Sequence, residues 1–186
     1  MAAAADVVAE KGALGASLDE VGARAAASRS QLYHYFDNKT DLLRAVAEAT
    51  NDGVLDGQRV LFDGLGTWAG LERWADTLVD YQNQRGGRGG CPIANLVGQL
   101  GEHEDGIRTV LASGFERWEA EIRAGLAAMR AAGELRPDTD VDWLATATLA
   151  SVQGGLMLTQ AHRDPRMLRR ALDGALALIG TYRTVS

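Results

Sequence analysis

An all-α fold is predicted for this 186-residue chain on three observations. Apolar residues return every three to four positions along most of its length, the spacing of one buried helix face. Helix-starting signatures crowd the stretch before residue 45, and nothing alternates apolar with polar as a half-buried strand would. Only three prolines interrupt the chain, although 22 glycines weaken several helix interiors.

From the N-terminus, Ser17-Leu18-Asp19-Glu20 reads as a capping box, the serine hydroxyl accepting from an orphan amide while Glu20 reaches back. It opens a helix from Leu18 to Ala25. Ser28-Arg29-Ser30-Gln31 repeats the pattern, with Gln31 in the reciprocal position. Asn38-Lys39-Thr40-Asp41 opens a third helix, with Asp41 at the positive end of its dipole. That helix is expected to run to about Phe62, past Gly53 and Gly57. Leu71, Trp74, Leu78 and Tyr81 share the face of the next. Arg85-Gly86-Gly87-Arg88-Gly89-Gly90 is a flexible turn, after which Pro92 suits a first helical position. Ile107, Val110, Leu111, Gly114, Trp118 and Ile122 line a helix running to about Ala132, ended by the break from Gly133 to Asp140. Trp143, Leu144, Ala147, Val152, Leu156 and Met157 belong to a long helix from Asp140 to His162. Leu168, Leu172, Ala175, Leu176 and Ile179 form the stripe of a last helix from Pro165 to Tyr182.

Composition narrows the function classes. Hydrophobic residues are 46% and charged residues 24%, ordinary for a soluble globular protein. The apolar stretches are broken by Gly, Thr, Gln or charge, so no membrane span is expected. Met1-Ala2-Ala3-Ala4-Ala5-Asp6 lacks the basic start of a signal peptide. The single cysteine, Cys91, excludes an internal disulfide and fits a reducing cytosol, so a cytoplasmic location is expected. His34, His103 and His162 are scattered without ligand spacing, and neither a metal nor another cofactor is called for. A net charge of −6 argues against a general nucleic-acid binder. Residues 1–46 nearly balance, with Lys11, Arg24, Arg29, Lys39 and Arg44 against Asp6, Glu10, Asp19, Glu20, Asp37 and Asp41. DNA binding must therefore be argued from geometry.

The spacing supplies that geometry. About one turn separates Ala25 from the helix starting near Ser28, which is helix-turn-helix spacing, the second helix being free to enter a major groove. Val8, Leu18, Val21, Ala25, Leu32 and Phe36 are expected as the small core beneath it, and Tyr35 is also assigned to the interior. Ser17-Leu18-Asp19-Glu20-Val21, followed by Ala25-Ala26-Ala27-Ser28-Arg29-Ser30-Gln31-Leu32-Tyr33-His34-Tyr35-Phe36-Asp37-Asn38-Lys39-Thr40-Asp41-Leu42-Leu43, resembles the DNA-binding segment of the TetR family of transcriptional regulators. The aromatic, lysine and Leu-Leu positions all fall in step over roughly residues 2–46.

The resemblance implies an N-terminal three-helix helix-turn-helix DNA-binding domain over residues 1–46, then a C-terminal helical bundle for ligand binding and dimerisation over residues 47–186. It implies Arg29, Ser30 and Gln31 as base readers, and Ser17, Ser28, Tyr33, His34 and Lys39 as phosphate contacts. The chemistry agrees, since Arg pairs bidentately with guanine and Gln with adenine, while hydroxyls and Lys suit phosphate. Plain capping accounts for Ser17 and Ser28 equally well and is compatible with DNA contact; Gln31 stays open between its capping box and a base. Two features depart from the family. Ala26 stands where Gly is usual, costing on the order of 1 kcal/mol if the backbone there is left-handed. The chain also starts inside the expected first helix, ahead of which the family often carries basic residues.

Beyond residue 46 the resemblance is architectural. It implies a homodimer whose last two helices pair about a twofold axis, suited to a palindromic site in double-stranded DNA with half-sites about 34–36 Å apart. Ala150, Gly154, Gly155, Ala171 and Ala175 would permit close helix approach, either between chains or within one. A small apolar or aromatic effector is expected against Trp68, Trp74, Tyr81, Phe115, Trp118, Trp143 and Met157, although core packing is the plainer reading of each aromatic. Asn95 and Gln153, set in apolar runs, are the orienting polar groups, with Gln82 and Gln99 as further candidates. Gly90-Cys91-Pro92-Ile93-Ala94-Asn95-Leu96 looks like a segment from one branch of the family, some of whose members respond to aromatic compounds.

The function these readings give is a repressor that leaves DNA when an effector favours wrongly spaced recognition helices, with the helix from Lys39 as lever. Three alternatives stand beside it. Cys91 at a helix N-terminus gives a redox- or electrophile-sensing regulator. Cys91, His103 and Glu104 give a Cys/His enzyme, but no orienting third group or oxyanion motif accompanies them, and no catalytic residue is expected. Ala26 and the missing basic arm give a helical interaction module without DNA binding.

Overall fold

The computed structural model describes residues 1–184, and among them the chain forms ten helices and one isolated antiparallel bridge, Leu135 to Arg183. They are α1 (Ala2–Gly15), α2 (Leu18–Ala25), α3 (Arg29–Tyr35), α4 (Lys39–Asp56), α5 (Arg59–Phe62), α6 (Trp68–Gln84), α7 (Pro92–Leu100), α8 (Asp105–Ala131), α9 (Val141–His162) and α10 (Arg166–Gly180). Contacts gather these into two units, the first holding Met1–Leu55 with Pro92–Phe115, the second Asp56–Cys91 with Glu116 onward.

In the first unit, Val7, Val8, Leu18, Val21, Leu32, Leu42, Leu43, Val46, Ile93, Leu100, Ile107 and Leu111 are buried. Each such side chain contributes about 1.5–3 kcal/mol by leaving water. Asn38 Oδ1 accepts from the Asp41 N–H at 3.0 Å and starts α4. Deeper along α4, Asn51 Nδ2 donates to the Val110 carbonyl at 2.7 Å, and its side chain lies over Gly114, where any β-carbon would collide with the amide.

The expected helix from Lys39 to Phe62 is instead two helices. α4 stops at Asp56, Gly57 follows, and Gln58 leaves the helical course (φ −113, ψ −1) before α5 begins. Gln58 turns inward, where its Oε1 accepts from Trp74 Nε1 at 3.0 Å. A buried indole N–H and a buried amide satisfy one another there, which outweighs continuing an exposed helix through glycine.

The second unit is organised by α9 and α10, which run antiparallel. Asp140 Oδ1 accepts from the Trp143 N–H at 3.0 Å to start α9, and Thr159 Oγ1 accepts from the Leu168 N–H at 3.0 Å to start α10. At Gly155 a β-carbon would stand 2.9 Å from Ala171 Cβ, so glycine sets how closely the helices approach. The small residues therefore divide. Gly155 and Ala171 serve this pairing and Ala175 is buried, whereas a β-carbon at Gly154 would meet nothing within 4 Å among the described residues and Ala150 is exposed. Arg169 bridges to Asp76 of α6 at 2.6 Å, and Arg123 of α8 bridges to Asp142 of α9 at 2.6 Å. Among the described residues no helix is long and apolar enough to cross a membrane.

Candidate nucleic-acid interface

Local chemistry builds α2 and α3. Ser17 Oγ accepts from the Glu20 N–H at 3.3 Å, the serine half of the expected box, while Glu20 turns its carboxylate to Lys11. Lys11 foremost, then Ser17, holds the Glu20 carboxyl below its ordinary value. At Ser28 the box closes on both sides: Oγ accepts from the Gln31 N–H at 3.2 Å, and Gln31 Oε1 accepts from the Ser28 N–H at 2.8 Å. Between the helices Ala26 sits at φ 51, ψ 33, the left-handed region, and the Ala27 N–H closes back on the Gly22 carbonyl at 3.0 Å.

Gly22, which the sequence did not single out, decides how α3 lies. A β-carbon there would meet Leu32 Cδ1 at 2.7 Å and the Ala27 carbonyl at 3.3 Å. Glycine inside a short helix costs about 1 kcal/mol, and that unexplained cost was the available signal. Leu32 is the sole buried residue of α3. Two core expectations are corrected. Tyr35 is 75% exposed, because a helix anchored only through Leu32 turns position 35 away. Ala25 is exposed as well, beside the left-handed residue that carries the chain off α2. Val8, Leu18, Val21 and Leu32 are buried as expected, and Phe36 is half-buried.

The outward face of α3 is polar and aromatic. Ser30, Tyr33 and His34 are exposed, and an open concavity of about 800 Å³ runs along Ala25, Ala26, Ala27 and the side chains from Ser30 to Tyr35. Arg29 lies 5.5 Å from the Tyr33 ring centroid and 3.8 Å from Asp19. Tyr33 first, then Asp19, holds its guanidinium above the ordinary value. Such an exposed pair is weak and easily exchanged. His34 and Tyr35 meet edge to face, 5.3 Å between centroids. Lys39 Nζ donates to the Leu14 carbonyl at 2.6 Å, tying the start of α4 to the end of α1. With Oε1 engaged at the cap, Gln31 presents only its amide donors outward, so this rotamer cannot make the donor–acceptor pair that adenine needs.

The effector candidates belong to both units and differ in exposure. Trp74 is buried and bonded to Gln58, and Trp118 is buried with its Nε1 unpartnered. Gln153 keeps both amide atoms buried and without a partner. Tyr81 is 52% exposed, where its hydroxyl accepts from Arg85 Nη1 at 3.0 Å, and Met157 is 69% exposed on α9. Asn95 and Phe115 are half-buried in the first unit. Gln99 is spent elsewhere, its Oε1 accepting from the Ala13 N–H at 2.7 Å. Cys91 is buried just before Pro92, which opens α7. Among the described residues no three His, Cys, Asp or Glu side chains gather as metal ligands.

Comparison with known proteins bears on both parts of the chain. Residues 1–46 match the family described as bacterial regulatory proteins, tetR family, and residues 67–175 match the tetracyclin repressor-like C-terminal domain. The chain is 30% identical to the transcriptional regulator AcuR of Cereibacter sphaeroides, covering 84% of this chain and 72% of that protein. A crystal structure of regulatory protein TetR from Rhodobacter sphaeroides is similar with a TM-score of 0.78 at 25% identity, covering 95% of this chain and 94% of that one. A cysteine-substituted CifR, complexed with a 26-base-pair double-strand operator DNA, shares the fold with a TM-score of 0.72 at 22% identity, covering 94% of this chain and 91% of that one.

Proposed function

Because this chain belongs to the TetR family of bacterial regulatory proteins and is a transcriptional regulator, we propose that it represses by holding a palindromic operator as a homodimer and releases it when a small molecule binds. One observation carries the DNA reading. α3 is anchored by Leu32 alone and offers Arg29, Ser30, Tyr33 and His34 outward as a polar, aromatic row. The CifR variant of similar fold is complexed with operator DNA in its own structure.

Arg29 is the principal base reader in this proposal, exchanging its loose pairing with Asp19 for a guanine edge. Ser30 joins it, and Gln31 reads as a donor while its oxygen stays in the cap. Ser17 and Ser28 both cap and touch phosphate, since capping uses the hydroxyl oxygen as acceptor and leaves the O–H to donate. Tyr33 and His34 flank the row. Lys39 has three donors, so one holds the Leu14 carbonyl while another meets a phosphate.

The dimer proposal rests on α9, where Trp143, Ala150, Gly154, Met157, Leu158 and Ala161 form an exposed, mostly apolar stripe at helical spacing. The effector proposal rests on Gln153 and Trp118, whose buried polar atoms without partners are costly until a ligand supplies them.

The test of the DNA reading is selection of duplexes from a random pool, followed by competition anisotropy with Arg29→Ala. About 1–3 kcal/mol of discrimination should vanish at one base pair per half-site. Unchanged discrimination by the variant would falsify the assignment of Arg29.

A further inference from the structure

The first unit contains a contact that joins residues far apart in the chain. α1 is not continuous: Gly12 breaks it with φ 75 and ψ 160. The break removes the helical partner of the Ala13 N–H, and Ala13 is fully buried. An unmet buried N–H costs about 1–3 kcal/mol, so this donor needs an acceptor from elsewhere. Gln99 of α7 provides it at 2.7 Å, while its own Nε2 donates to the Asn95 carbonyl at 3.2 Å. The approach passes directly over Gly12, where a β-carbon would lie 3.0 Å from Gln99 Oε1.

We propose that Gln99 is a positioning residue for operator binding, fixing the segment Ala13–Ala16 that seats Lys39 and delivers Ser17 to the start of α2. The geometry is sequential. Gln99 holds Ala13; the carbonyl of the next residue, Leu14, accepts from Lys39 Nζ at 2.6 Å; the Ala16 N–H returns to the Gly12 carbonyl at 3.1 Å; and Ser17 then caps α2. Two of the proposed phosphate contacts, Lys39 and Ser17, thus take their places from one amide on α7 that never meets DNA. The inference rests on the DNA reading proposed above.

The experiment uses the full chain and a duplex enriched from a random pool by the parent protein. Gln99→Leu removes the acceptor, and Gln99→Asn keeps an amide with too short a reach. Gln99→Glu keeps an acceptor aimed at a helix-starting N–H, where a negative charge is welcome. The first two should bind about tenfold more weakly, the equivalent of one hydrogen bond. The salt dependence of binding should fall by about one phosphate contact as Lys39 loses its seat. Hydrogen exchange at the Ala13 amide should quicken in both, and Gln99→Glu, which keeps the acceptor but gives up the donor to the Asn95 carbonyl, should recover part of all three readouts. Where Gln99→Leu fails to fold, Gln99→Asn carries the measurement. Affinity and salt slope equal to the parent's in a folded Gln99→Asn overturn the proposal. A parent that enriches no sequence overturns the DNA reading beneath it, a failure visible before any variant is made.

Discussion

Among the described residues, α3 and α9 each leave one face exposed, and the two faces differ in kind. α3 is a short helix with a single buried residue, Leu32, and its open side carries guanidinium, hydroxyl, imidazole and phenol groups. α9 is 22 residues long, buries nine of them, and leaves open Trp143, Met157, Leu158, Ala150 and Gly154. A face rich in donors suits a polyanion that supplies acceptors along its length. A face of methyl, thioether and indole groups with a glycine gap suits another helix. Two uncovered surfaces in one chain thus ask for two different partners, and proximity to water alone tells neither apart.

The contrast breaks most severely if α9 is given the polarity of α3. If α9 pairs with its copy as proposed, Met157→Glu brings like charges together and should yield a monomer in sedimentation at micromolar concentration. Operator affinity should then fall a hundredfold or more, because two linked half-site contacts become one. A variant that stays dimeric would move the partner off this face. Inside the second unit, Gln153→Leu should raise the stability of the free protein to urea by about 1–3 kcal/mol, since it deletes two unpartnered buried polar atoms. The same change should abolish the thermal shift produced by whichever apolar or aromatic compound a screen identifies. Lower stability instead would show that the amide is already satisfied in solution. On the DNA side, Ala26→Gly relieves the left-handed backbone at φ 51 and should stabilise by on the order of 0.5–1 kcal/mol in thermal denaturation. Operator affinity should stay unchanged, so a variant that gains stability and loses binding would assign Ala26 a second role.

What the sequence made legible was chiefly local. Ser17, Ser28, Asn38 and Asp140 cap within three residues of themselves, and each does so in the structure. The left-handed backbone at Ala26 was a condition raised by the family's usual glycine there, and the structure meets it at φ 51. Long-range choices were not legible. Gln58 leaves the helix to meet Trp74, and Gln99 crosses to Ala13; in both, a polar side chain satisfies a donor that only the assembled fold exposes. Tyr35 misled because aromatic residues usually face inward, whereas a seven-residue helix held by one leucine has no inward position left for it. Among the effector candidates, Gln153 stood out in an apolar run, and its amide is indeed buried. Tyr81 and Met157 share the same apolar pattern yet lie on the outside, since periodicity marks a face without saying what covers it.

The seating of Asn51 over Gly114 constrains how this sequence can drift. A methyl group at 114 is admissible only after position 51 has shrunk, and a shrunken 51 strips the Val110 carbonyl of its amide donor before anything is gained. Neither single step is expected to be neutral, so the two sites should change as a couple. Descendants that vary one while keeping the other would have to shift a helix to survive.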